Sequence, residues 1–169
     1  MLYDVTVVQF TKMLNNLSRI LDKSLVLATT KKFEPEVLMQ SRLAPDQFNC
    51  LRQVQIACDT AKFAAARLTG KEAPLHEDNE KTPAELKARI DKVIAYLGTF
   101  APKDFAGADE RRVTTPRWQG KYLTGAEFAV QHAIPNFYFH VTTAYSILRH
   151  NGLDIGKGDF LGEMPYKGP

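Results

Sequence analysis

Long apolar runs, a secretion signal and basic clusters are missing from this chain of 169 residues. No stretch reaches the roughly 18 uninterrupted apolar residues of a membrane helix, and the N-terminus lacks a basic segment followed by an apolar one. The 22 Lys and Arg residues exceed the 19 Asp and Glu residues by only 3, and they are scattered. The sequence therefore argues against membrane insertion and nucleic-acid binding, and it favours a cytoplasmic protein.

Cysteines are few, and familiar catalytic motifs are missing. Cys50 and Cys58 are eight residues apart on a predicted helix, about 12 Å along its axis, which is too far for a disulfide. Free thiols suit a reducing compartment. No G-x-S-x-G motif occurs, and segment 152–158 is not a phosphate loop because only three residues separate its first two glycines. The sequence gives no support for nucleophilic catalysis.

Apolar residues recur at helical spacing in four segments. The first extends from Asp4 to Thr30, and the second is predicted to begin near Pro45 and to end before Gly70. The third follows a capping box at residues 82–85 and continues to Leu97. The predicted core positions of the first two are Phe10, Leu14, Leu17, Leu21, Leu25, Ala28, Leu51, Val54, Cys58, Ala61, Ala65 and Leu68.

The fourth helix is predicted to follow a second capping box at residues 124–127, to continue to Arg149 or His150 and to stop at Gly152, with a kink or interruption at Pro135. Residues 102–121 favour a small hairpin that turns at Gln119 and Gly120. The long linker 31–44 permits a crossover. The predicted fold is an all-α four-helix bundle with a crossover connection, in a single domain over residues 1–169.

Polar side chains interrupt the apolar part of the fourth helix. On a regular helix, Asn136, Thr143 and Ile147 lie within roughly 60° of His140, so one narrow face carries both polar and apolar groups. Polar groups are not expected on a helix face that packs in an apolar core, and this face is therefore the predicted site. The alternative is a core histidine whose ring is satisfied by an internal hydrogen bond.

The second helix has polar residues that can meet this face. Gln55 and Asp59 are one turn apart at the flank of the apolar stripe. We expect a ligand pocket in which they lie opposite Asn136 and His140. The alternative is a solvated edge where Asp59 forms a surface pair with Lys62.

Metal ligands are scarce in the same region. His140 is the single strong ligand on its face, and His132, roughly 80° away on an ideal helix, is a candidate second ligand. Catalytic zinc usually has three protein ligands. The sequence therefore predicts no cofactor, with a divalent metal at His140 and His132 as the alternative. His76 and His150 are predicted to be structural or solvated.

Several segments resemble an uncharacterised branch of the DinB/YfiT-like superfamily, which is known mainly as a domain of unknown function. The segments are PNFYFHVTTAY at 135–145, LRHNG at 148–152, GKGDFLG at 156–162 and QVQIACD at 53–59. The resemblance spans nearly the whole chain, and it implies a four-helix bundle with a crossover.

The resemblance also implies where a metal would be held. Typical members bind a divalent metal with one histidine from helix two and two histidines, four residues apart, from helix four. His140 matches the later of these two, and Asn136 stands at the earlier one. On helix two, Gln53 or Gln55 stands where a histidine is expected. This chain departs from the pattern at two of three positions, which puts in doubt the thiol-transferase or isomerase chemistry of metal-bearing relatives.

Three hypotheses for function follow. The first is an uncharacterised DinB-like protein with a small-ligand pocket around His140 and Asn136. The second is a metal-dependent thiol transferase or hydrolase, whose ion is bound by His140, by Asn136 or His132, and by Asp59. The third is a non-catalytic structural or stress-related helical dimer.

Helix one carries apolar residues outside its core stripe. They are Val5, Val7, Val8, Val26 and Leu27. A monomer would expose them, so we expect a homodimer.

Overall fold

The computed structural model describes residues 1–168. Its helices are α1 (Gln9–Lys31), α2 (Glu36–Gln40), α3 (Cys50–Thr69), α4 (Pro83–Leu97), α5 (Gly125–Phe128), α6 (Ile134–His150) and α7 (Lys157–Leu161). Wider π-helical turns, Asp4–Val8 and Ala129–Ala133, lead into α1 and join α5 to α6, and 3-10 turns occur at Pro102–Phe105 and Pro116–Trp118. None of the helices in residues 1–168 is long and apolar enough to cross a membrane.

The four long helices form a bundle with diagonal connections. α1 packs on α4 and α6, and α3 packs on the other sides of the same two helices. α1 and α3 therefore lie diagonally opposite each other, and the chain between them crosses the end of the bundle. This arrangement confirms the predicted all-α fold with a crossover. In the core, the rings of Phe10 and Phe137 stack with their centroids 4.0 Å apart and join α1 to α6.

The hairpin and the helix ends follow local signals. Strands β1 (Arg112–Val113) and β2 (Leu123–Thr124) pair antiparallel, as the hairpin prediction requires. The turn between them contains Gln119 and Gly120, both with positive φ, at 52° and 85°. Thr82 and Thr124 each accept a backbone hydrogen bond in a complete capping box, so α4 and α5 begin where the sequence predicts.

The start of α3 was predicted five residues too early. Pro45 and Asp46 lie in a turn, and α3 begins at Cys50 because the side chain of Asn49 caps it by accepting a hydrogen bond from the Arg52 amide at 3.0 Å. The Cys50 amide donates to the carbonyl of Ser41 at 2.9 Å, which bends the preceding segment back. The short helix α2 within this linker was not predicted.

Proline 135 interrupts the regular helix without breaking it. The five residues before α6 form π turns, and the backbone on both sides of them stays in the helical region. A proline ring clashes with the carbonyl four residues earlier, and a wider turn relieves that clash.

Similar π turns at the N-terminus change the angular positions of the first valines. Val7 is consequently buried at 4% exposure, whereas Val8 and Val26 are exposed.

A buried guanidinium connects α4, α3 and the loop between them. Arg89 of α4 is 2% exposed and donates to Asp59 of α3 at 2.9 Å. It also pairs with Asp78 at 2.9 Å and with Glu80 at 3.2 Å, both in the loop. Lys62, equally buried, pairs with Asp59 at 3.0 Å. The loop is thus held against the bundle by paired charges rather than by apolar packing.

We expect the substitution Arg89→Met to lower the free energy of unfolding by about 1–3 kcal/mol, because it removes the cation that the partly buried carboxylates of Asp59 and Glu80 share. Lys92→Met is the matched control, since Lys92 is an exposed cation on the same helix. Its effect should stay within about 0.5 kcal/mol. Urea unfolding of both variants measures the difference, and a loss below about 1 kcal/mol for Arg89→Met would contradict the structural role of this cluster.

Candidate functional site

Two polar pairs join α3 to α6. The first links His140 to Gln53, whose amide Nε2 donates to the carbonyl of Phe48 at 3.0 Å. That bond orients the amide so that its Oε1 lies 2.7 Å from His140 Nδ1. Because a carbonyl oxygen only accepts, the Nδ1 of His140 must carry the proton and donate it. The alternative that the sequence left open, a buried histidine satisfied within the protein, therefore describes this ring.

Burial controls the charge of this histidine. His140 is 7% exposed, and burial, together with the nearby positive charge of Arg52, lowers the pKa of His140 to about 4. The ring is consequently neutral near pH 7. His140 thus lies inside the bundle and forms its hydrogen bond there.

The second pair lies one turn earlier on α6. The amide Nδ2 of Asn136 donates to the hydroxyl of Thr60 at 2.8 Å, and that hydroxyl donates to the carbonyl of Ile56 at 2.7 Å. This chain of bonds fixes the orientation of the Asn136 amide. Its Oδ1 has no hydrogen-bond partner among residues 1–168, so it is free to accept one.

Other residues of the predicted pocket lie elsewhere. Gln55 donates to Glu80 at 2.8 Å and accepts from Arg52 at 3.1 Å, on the side of α3 that faces the loop before α4. Thr143 donates to the carbonyl of Phe139 within its own helix at 2.7 Å. The structure therefore pairs His140 and Asn136 with Gln53 and Thr60, and it does not place Gln55 opposite them.

Helix geometry explains this difference. Successive residues of an α-helix are rotated by about 100°, so Gln53 and Thr60, seven residues apart, share one face of α3. Gln55 lies about 200° from Gln53 on the same helix and points away from α6. The small residues of α3, which include Ala57, Ala61 and Ala64, are buried on several sides, so the apolar pattern alone did not distinguish the two flanks.

A cavity of about 420 Å³ opens beside Asn136, and we call it the α3–α6 cavity. It lies between α3, the start of α6 and the segment after β1. Asp59, Asn136 and His132 line it, whereas His140, Thr143 and Gln55 do not. The full lining is Phe48, Arg52, Ile56, Asp59, Thr60, Phe63, Arg67, Thr115, Pro116, Arg117, Trp118, Phe128, His132 and Asn136.

Aromatic rings surround the charged groups of the cavity. The guanidinium of Arg67 lies 5.0 Å from the ring centroid of Phe63 and 5.9 Å from that of Phe128. His132 stacks on Phe128 at 5.5 Å and meets Trp118 edge to face at 5.4 Å. Burial and the charge of Arg67 lower the pKa of His132. Its Nδ1 is buried and has no hydrogen-bond partner within the described part of the chain.

Arg67 and Trp118 were not among the site residues predicted from the sequence. A weak signal existed, because Phe63 and Arg67 are large residues one turn apart in the otherwise alanine-rich end of α3. Trp118 lies in a 3-10 turn that the hairpin brings to the start of α6. The contact of Trp118 with His132 depends on the tertiary structure.

The donor set around His140 does not fit a divalent metal. On α3, the predicted second long helix, Gln53 stands where a metal-binding histidine is expected, and its side-chain oxygen is already bonded to the imidazole of His140. Asn136 is bonded to Thr60, and His132 lies among aromatic rings of the cavity that His140 does not reach. Within residues 1–168, no three His, Cys, Asp or Glu side chains are grouped so that they could hold a metal ion. At the positions where the resemblance implies metal ligands, the side chains are thus already joined by hydrogen bonds.

We expect His140 to make the protein less stable in mild acid. The pKa is about 4 when the protein is folded, against 6.5 for an unperturbed histidine. Between these values the unfolded chain binds a proton that the folded chain does not, so the free energy of unfolding falls as the pH drops from 6.5 towards 4. His140→Gln should reduce this loss.

Urea unfolding at about pH 7 and about pH 5 measures the effect, and the difference between the two should be smaller in His140→Gln than in the unmodified protein. The control is His150→Gln, which changes an exposed histidine at the end of α6. The same pH dependence in all three proteins would show that His140 is not buried in its neutral form.

Comparison with known proteins places the chain in a family. A model of a domain of unknown function, DUF1993, matches residues 2–161. A crystal structure of a DinB family member protein from Shewanella denitrificans is 62% identical, has a TM-score of 0.97, and covers 100% of this chain and 96% of its own. No curated protein matches. With its bundle, its crossover and its Asn136–His140 segment, this chain belongs to the DinB-like DUF1993 family of domains of unknown function.

Proposed function

We propose that the protein binds a small organic molecule in the α3–α6 cavity. The observation that carries the proposal is the combination of a cavity of about 420 Å³ with the oriented amide of Asn136 at its wall. Ligand sites of proteins typically have volumes of about 300–1,000 Å³, mostly apolar walls and a few placed polar groups. The aromatic lining and the free Oδ1 of Asn136 meet these requirements.

Polar pairs behind the cavity support a preformed site. The bonds His140–Gln53 and Asn136–Thr60 hold α6 against α3 at two successive turns. A ligand therefore meets an amide whose orientation is already determined, and less entropy is lost on binding. In this proposal Asn136 contacts the ligand, and His140 positions α6 without contacting it.

Two other openings in the structure suit a small molecule less well. One, of about 470 Å³, is lined by the loop before α4 and carries three glutamates, Glu77, Glu80 and Glu85, of which Glu80 is bonded to Arg89 and Glu85 is used in helix capping. The other, of about 600 Å³, lies between α1 and the C-terminal segment, where exposed Met164 forms part of the wall. The first lies away from the contact between α3 and α6. The second has an amide at its wall, since Gln9 donates to the hydroxyl of Tyr138 at 3.0 Å, but that wall also depends on the exposed C-terminal segment.

A matched set of one-ring compounds tests the proposal: benzoate, benzamide and benzylamine share a ring and differ in charge. At least one should raise the melting temperature, since a ligand at about ten times its dissociation constant adds about 1.4 kcal/mol of stability. The same compound should change the emission of Trp118, which is the single tryptophan of the chain and lines the cavity.

Asn136→Leu should weaken binding of that compound, because the variant keeps a similar volume and loses the amide. Asn15→Leu is the control, since Asn15 is exposed on α1 and donates within its own helix. The proposal fails if none of the three compounds produces a saturable change up to millimolar concentration, or if Asn136→Leu binds as well as the control.

We also propose that the protein is a cytoplasmic homodimer. Free, buried Cys50 and Cys58 suit a reducing compartment, and burial raises the pKa of each thiol to about 12. Val8, at the end of the π turn before α1, and Val26 of α1 are 50% and 65% exposed. Covering these side chains is the contribution that a second copy would make.

Light scattering should accordingly give twice the monomer mass of 19.0 kDa at micromolar concentration. Val26→Lys should shift the mass towards the monomer, because it places a charge in the apolar contact. Thr142→Lys, an exposed change on α6, is the control. A monomer mass for the unmodified protein would refute the dimer and leave ligand binding unaffected.

A further inference from the structure

We infer that the ligand of the α3–α6 cavity is an aromatic compound that carries an oxyanion, a carboxylate or a phosphate. This inference rests on the proposed function, because it assigns a chemical class to the same site. It follows from an imbalance of charge in the cavity wall and from the way in which one arginine is held there.

The cavity wall contains more cations than it can neutralise. Three arginines line it, Arg52, Arg67 and Arg117, and Asp59 is the one carboxylate among the lining residues. Asp59 is already paired with Arg89 at 2.9 Å and with Lys62 at 3.0 Å, neither of which lines the cavity. The negative charge of Asp59 is thus already offset by two cations, and the arginines determine the potential of the cavity.

The arginines differ in whether they have partners. Arg52 pairs with Asp78 and donates to Gln55. Arg67 and Arg117 form no ion pair and no hydrogen bond with any residue from 1 to 168. Arg117 is exposed and therefore solvated, but Arg67 is half-buried, and burial lowers the pKa of its guanidinium. Because Arg67 has no carboxylate partner, an anionic ligand would supply the counter-charge.

The position of Arg67 favours an anion with a flat ring. Its guanidinium lies close to the rings of Phe63 and Phe128, and such contacts use the face of a cation and leave the N–H groups at its edge free. Those edge groups match the two oxygens of a carboxylate or the oxygens of a phosphate. The half-buried rings of Phe63 and Trp118 border the same space and can stack on an aromatic ligand.

Charge selectivity tests the inference with the same one-ring compounds. Benzoate should bind at least about ten times more tightly than neutral benzamide, since hydrogen bonds to a charged group add that much affinity or more. Benzylamine, a cation, should bind most weakly. Phenyl phosphate is added to distinguish the two oxyanions, and whichever of the two binds more tightly identifies the headgroup. Affinities are measured by calorimetry at low and high salt, and the affinity for the anion should fall as salt rises.

Arg67→Gln should weaken binding of the preferred anion by about ten-fold or more, while its affinity for benzamide changes by less than about two-fold. Arg117→Gln should weaken it less, because Arg117 is exposed and screened. Arg19→Gln, an exposed change on α1, is the control and should have no effect. Should Arg67→Gln fail to fold, Arg117→Gln and the salt dependence still decide the question.

The outcomes separate this inference from the proposed function. Equal affinities for benzoate and benzamide, with no effect of Arg67→Gln, would overturn the anion and leave a cavity that binds neutral molecules. Tightest binding of benzylamine would also overturn it. If no compound binds, the proposed function and this inference fail together.

Discussion

The interactions of Arg89 determine how the rest of the molecule is arranged around α3. Its guanidinium lies between α3, α4 and the loop that joins them, and it pairs with carboxylates from both the helix and the loop. One consequence is structural: these ion pairs hold the long polar loop before α4 against the bundle without apolar packing. The other is electrostatic: Asp59 is neutralised on the α4 side of α3, so the α3–α6 cavity keeps the positive charge of its arginines.

The face of α3 that packs on α6 carries polar side chains. Gln53 and Thr60 each bond a polar side chain of α6, and these pairs replace apolar packing at two successive turns. A buried polar pair adds little net stability, but it permits one alignment of the two helices, since any other leaves groups unsatisfied. The alignment places Asn136 at the cavity wall, with the aromatic segment around Trp118 on the other side.

These pairs also distinguish the chain from the three-histidine pattern that the resemblance implies. Where the resemblance implies three histidines, one histidine is bonded to an amide and a second amide is bonded to a hydroxyl. Amides and hydroxyls satisfy one another by hydrogen bonding, whereas zinc favours imidazole, thiolate or carboxylate. At these positions the chain has a packed polar contact where the resemblance implies a metal site.

The sequence by itself determined the features that depend on neighbours along the chain. The capping boxes at Thr82 and Thr124, the end at Gly70 and the helical face around His140 were all predicted, because short-range hydrogen bonds and periodicity produce them. The start of α3 was missed because Pro45 and Asp46 are also acceptable at a helix start, and the contact with Ser41 decides between the alternatives.

Only the tertiary structure decided which flank of α3 faces α6, and hence that Gln53 rather than Gln55 meets His140. It also decided that Arg67 has no partner, since the pairing of a charge depends on distances between elements far apart in sequence. Because α3 is rich in buried alanines, the sequence pattern does not show how the helix is rotated about its own axis. Packing against the neighbouring helices determines that rotation.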